Sequence, residues 1–202
     1  MELLVSIGIL TVILAIVISN QANYTNAAAL TNLADEIGLS ISQAQVYGSG
    51  VKEFSPGFGE FSASYGLTFS LLSGNNGSPN AYLYFADRDP AGATLPNKIY
   101  GGDWTCSIGG TSECLQRANI SGGNYIESVC MVINLLPDDC STPRRIDISF
   151  DRPNPQAQII FFDNSGFQVT NVNTIGARII LRSASGLTKS ILVYKTGQVS
   201  IQ

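Results

Sequence analysis

The sequence predicts an α+β chain in which a long N-terminal helix, half transmembrane and half packed on a head, precedes a globular domain built on an antiparallel β-sheet. Three observations point there. No charged residue occurs between Glu2 and Asp35, and residues 3–18 are almost wholly apolar. Apolar residues then recur at helical spacing as far as Gly48 and Gly50. Beyond them, apolar and polar residues alternate with period two between turn-forming dipeptides.

The apolar run comes first. A helix needs about 20 apolar residues to cross a bilayer, so residues 3–18 are slightly short on their own. A secretory signal would open with Lys or Arg and close at a small-residue cleavage site. This run opens with Glu2, continues through Ser19-Asn20-Gln21-Ala22-Asn23, and meets its first basic residue at Lys52. Nothing here sets topology by positive charge, so a basic leader is expected upstream of Met1.

From Asn26 onward Leu30, Leu33, Ile37, Ile41 and Ala44 form one apolar stripe, with Asp35, Glu36, Ser40 and Gln43 between them. Such a stripe suits a face docked on the chain's own sheet better than a coiled coil. Gly48 and Gly50 supply the stop after Tyr47, giving a helix about 70 Å long. The chain therefore divides into a transmembrane helix half, 1–25, and a head, 26–202, that includes the amphipathic half 26–47.

In the head, Tyr65, Leu67, Phe69 and Leu71 alternate with Ser64, Gly66, Thr68 and Ser70, and Ile146, Ile148 and Phe150 alternate with Asp147, Ser149 and Asp151. These read as half-buried strands. Further strands are expected over 158–162, 177–183, 189–194 and 199–201, with turns at Asn164-Ser165-Gly166, Ser185-Gly186 and Thr196-Gly197. The stretch 74–139, rich in Gly, Asn, Ser and Pro, is expected to form surface loops around a strand that carries Tyr82, Tyr84 and Phe85, with Trp104 either an exposed anchor or packed on a disulfide.

Glu2-Leu3-Leu4-Val5-Ser6-Ile7-Gly8-Ile9-Leu10 resembles the start of type IV pilins and type II secretion pseudopilins, which open with Phe, a small residue, two apolar residues and Glu. Residues 176–181 and 188–199 resemble, more loosely, the closing strands of minor pseudopilins. The resemblance implies that the leader and a Phe destined for methylation lie upstream of Met1. It also implies that Glu2 pairs with the terminal amine of a neighbouring subunit. A carboxylate at bilayer depth costs about 2.5–3.5 kcal/mol and tends to be paired, which agrees. Family members often carry Pro where this chain has Ser19, so a proline break is not expected.

All four cysteines lie in 106–140, separated by seven, fifteen and nine residues. That spacing, without any His, does not match zinc. Two disulfides are expected, and three connectivities are open. Cys106 with Cys114 and Cys130 with Cys140 closes the shortest loops and is the preferred pairing. Disulfides place the head outside the cytoplasm.

Asp87, Asp89 and Gly92 give the D-x-D-x-x-G opening of a calcium loop, but Ala91 and Lys98 stand where further ligands belong. With Asp103 from across the loop, calcium is a secondary expectation behind an ordinary Asp and Pro turn. The missing His removes the usual base, metal ligand and triad member, so no enzyme and no cofactor are expected. A net charge of −4, with only Arg144, Arg145 and Arg152 grouped, disfavours nucleic acid.

The resulting expectation is a minor structural subunit of a type IV pilus or type II secretion-like pseudopilus. Its partners would be other pilin subunits, inner-membrane assembly machinery and, before assembly, membrane lipid. Its place would be the cytoplasmic membrane, single-pass with the head outside, and then a periplasmic or extracellular filament. The alternative is a monomeric membrane-anchored binding module or adhesin.

Overall fold

No proline precedes position 56, and the chain runs as one helix, α1, over Glu2–Ser49. At 1.5 Å per residue its 48 residues extend ~72 Å. The computed structural model describes residues 2–50, 63–88, 97–107 and 112–202, with the side chains of residues 2, 19, 20, 22 and 23 outside the description.

Among the described residues ten strands form two antiparallel sheets. They are β1 (Ser64–Ser70), β2 (Ala81–Asp87), β3 (Cys114–Asn119), β4 (Tyr125–Ile133), β5 (Arg145–Phe150), β6 (Ala157–Phe162), β7 (Gln168–Val169), β8 (Thr174–Arg182), β9 (Thr188–Tyr194) and β10 (Val199–Ile201). One sheet has the order β3-β2-β1-β5-β6-β7 and the other β10-β9-β8-β4. The β8–β9 and β9–β10 turns fall at the glycines expected. Gly186 and Gly197 take φ of +87° and +89°, a region that favours residues without a Cβ.

The second half of α1 joins the sheets. Leu30, Leu33, Ala34, Ile37, Ile41 and Ala44 are buried and share a core with Leu67 and Phe69 of β1, Ile148 and Phe150 of β5, Ile179 of β8 and Ile191 of β9. The predicted stripe therefore docks on the chain's own sheets. Gly48 lets the helix end abut β5, since a Cβ there would lie 2.2 Å from the Phe150 carbonyl oxygen.

Three expectations need correction. The polar positions of β1 and β5 do not face solvent: Ser64, Thr68, Ser70, Asp147 and Ser149 are all buried. The segment from Asn97 to Ser107 folds over that side of the larger sheet and holds it through hydrogen bonds described below. The stretch 74–139 is not all loop outside the strand at Tyr82–Phe85, because β3 and β4 also lie within it. Finally, among the described residues no helix is long and apolar enough to cross a membrane. The described apolar side chains of residues 3–18 cover ~24 Å of rise, against ~30 Å of hydrocarbon. What α1 presents there is an exposed apolar rod, a coarser feature than the transmembrane half the sequence suggests.

Candidate assembly interface

The two halves of α1 differ in composition and in what covers them. Residues 3–18 carry twelve large apolar side chains that are at least 50 % exposed, each of which gains ~1.5–3 kcal/mol on full burial. A contiguous uncovered surface of this kind marks an interaction site. Within it the Thr11 hydroxyl donates to the Gly8 carbonyl at 2.8 Å. Gly8 meets no other atom within 4 Å of a Cβ position, which leaves room for close helix approach. The rod can thus exchange one apolar surrounding for another without stranding the Thr11 hydroxyl. α1 begins at Glu2, whose side chain lies outside those described.

The cysteines pair in sequence order, Cys106 with Cys114 and Cys130 with Cys140, with Cα separations of 5.3 and 4.1 Å. Of the two expectations for Trp104, the packed one holds: it lies against the Cys106–Cys114 disulfide and is not an exposed anchor. It is buried with Leu83, Phe85, Tyr100 and Cys114, with Cys106 against them, in a small core on the outer side of the larger sheet. The disulfide and the aromatic rings together hold the 97–107 segment down.

The three carboxylates expected near a calcium loop fare differently. Asp87 is buried and accepts the Lys98 backbone N–H at 2.5 Å. Burial raises its pKa, and the backbone N–H groups of Lys98 and Asn97 partly offset that. Asp89 lies outside the described residues. Asp103 faces solvent and accepts the Thr105 and Ser107 hydroxyls at 2.8 and 3.0 Å, which hold it below the usual carboxylate range. Asp103 organises its own turn. Among the described residues no three His, Cys, Asp or Glu side chains gather as a metal site.

A carboxylate clamp that the sequence does not predict lies over the larger sheet. Arg145 donates to Asp147 through Nε at 2.9 Å and Nη2 at 2.5 Å, and Nη2 also reaches the Tyr100 carbonyl at 2.7 Å. Asp147 accepts the Tyr100 backbone N–H at 2.9 Å, and Glu113 accepts that of Gly101 at 2.5 Å. With Asp87 on Lys98, carboxylates from β2, β5 and the residue just before β3 hold three main-chain N–H groups of one segment. Burial pushes the Glu113 carboxyl up to about 7, opposed by the Gly101 hydrogen bond and reinforced by the charges of Asp87 and Asp147. One signal was available. Residues two apart on a strand share a face, so Arg145 and Asp147 stood ready to pair.

The three arginines do not form a basic patch. Arg145 is engaged by Asp147, while Arg144 and Arg152 flank opposite ends of β5, eight residues and about 26 Å apart along an extended chain. Comparison with protein-family models, curated proteins and solved structures finds no match to this chain.

Proposed function

We propose that this chain is a structural, minor subunit of a type IV pilus or type II secretion-like pseudopilus, assembled through α1. One observation carries the reading: a single unbroken helix is buried in the head along one half and uncovered and apolar along the other. The prepilin-like residues 2–10 support it.

The mechanism follows from the two halves. The docked half fixes the head rigidly to the rod. The rod rests in the lipid of the cytoplasmic membrane with the oxidised head outside, and assembly machinery then transfers it to a filament, where neighbouring helices replace lipid. Glu2 sets the register because an unpaired buried carboxylate is strongly penalised and a paired one is tolerated.

The test is Glu2→Ala in the producing cell. The head is expected to stay folded, with both disulfides formed, while its recovery with sheared filaments falls at least tenfold. Normal recovery would sink the register role and favour the tethered binding module, which needs the helix only as an anchor.

A further inference from the structure

β10 forms one margin of the smaller sheet, and among the described residues only β9 pairs with it. Ser190 and Gln202 exchange main-chain hydrogen bonds both ways at 2.8 Å, and the Tyr194 N–H donates to the Gln198 carbonyl at 2.9 Å. Bonded residues alternate along an antiparallel pair, so the main-chain N–H and C=O groups of Val199 and Ile201 point away from β9. Among the described residues these four groups have no hydrogen-bond partner. Sheet edges are commonly guarded by Lys, Pro or a bulge. Val199-Ser200-Ile201 contains neither residue and pairs in an unshifted register.

Beyond this edge lies a groove of ~520 Å3 whose far wall is α1. Val199 and Ile201 line one side, and Asp35, Gly38, Leu39 and Ser42 line the other. Gly38 lets the two walls meet, since a Cβ there would lie 3.2 Å from the Ile201 side chain. Leu39 is 72 % exposed. Asp35 is the one ionisable lining group among the described residues, and it has no ion pair among them.

A strand edge with free main-chain groups, facing a helix across an apolar groove, suits the addition of an extended peptide as a further strand. Main-chain hydrogen bonds then give affinity, and alternate side chains give specificity. A helix laid in the groove would leave the four main-chain groups unmet. A second copy pairing through its own β10 would bring Gln198-Val199-Ser200-Ile201-Gln202, which holds no cation for Asp35.

We propose that this groove binds an extended segment of a partner protein, which joins the smaller sheet as a strand beside β10. Apolar residues at alternate positions of that segment cover Leu39, Val199 and Ile201, and a Lys or Arg meets Asp35. The proposal does not rest on the filament reading.

The test is titration of the isotope-labelled full chain, in zwitterionic detergent micelles, with acetyl-Lys-Val-Thr-Val-Thr-Lys-amide, whose two Lys serve either strand direction. The Val199 and Ile201 amide resonances should shift saturably and their hydrogen exchange should slow about tenfold or more. Alternate N–H groups of an added strand face β10, so N-methylation of both Val or of both Thr should block binding in one case and leave it within about threefold in the other. Leu39→Ala should weaken binding about fivefold and Asp35→Asn about threefold, with the fold and both disulfides retained. Unsaturable shifts, equal behaviour of the two N-methylated peptides, or unchanged affinity in both variants would overturn the proposal. The same amide changes on raising protein concentration without peptide would assign the edge to a second copy and overturn it too.

Discussion

Glu113 shows how a residue's setting can reverse its ordinary effect. Burial lifts its carboxyl from 4.5 to about 7, so the fold disfavours the ionised form. The sign follows from linkage: a pKa raised in the folded state gives stability that is complete below the unfolded value and is lost as pH rises through the folded one. Asp87 is shifted in the same direction. Stability should therefore fall between pH 4.5 and 7, by ~1–2 kcal/mol from Glu113 once screening by nearby solvent is allowed for. Glu113→Gln mimics the neutral form and keeps an acceptor for Gly101. Thermal melts across this range should show a flatter profile in the variant and a midpoint about 3 °C higher at pH 8. An unchanged profile would mean that Glu113 is not the group that titrates. The sequence displayed Glu113 only as an acid beside Cys114, because its burial depends on a segment that returns from elsewhere in the chain.

At the scale of elements, α1 is one helix with two surroundings. Its inward stripe was legible from periodicity alone, since the positions 30, 33, 37, 41 and 44 recur on one face. Ile37 is fully buried among both sheets, and Leu39, two residues on, is 72 % exposed. Ile37→Ala should cost about 2–4 kcal/mol through lost burial and a residual cavity, whereas Leu39→Ala should stay within ~0.5 kcal/mol. Urea midpoints of the two variants check this, and equal effects would contradict the docking of this face. The strands are less completely legible in the sequence. β8 and β9 announced themselves through apolar runs and glycine turns, but β3 and β4 were hidden in a stretch whose composition suggests loop. Composition counts turn formers without revealing that partners such as β2 and β8 satisfy the backbone between them.

For the whole molecule, the uncovered rod and the packed head make separable demands. The head's core draws on α1 only from Leu30 onward, so removal of residues 1–25 should leave a folded, monomeric, detergent-independent protein with both disulfides. The full chain should need detergent or self-associate. Light scattering and near-ultraviolet circular dichroism of the two forms decide this, and an aggregated or unfolded head would show that the rod contributes to folding. What the sequence determined by itself was local and periodic: the helix, its apolar half, its docking stripe and the glycine turns, while the pairing of the four cysteines was left among three connectivities. Only the tertiary structure decided which polar residues are buried. The covering of β1 and β5, the burial of Trp104, the carboxylate clamp and the groove beside β10 all arise where distant segments meet. Contacts of that kind leave no period along the chain, because the groups that satisfy one another are set by packing and not by spacing.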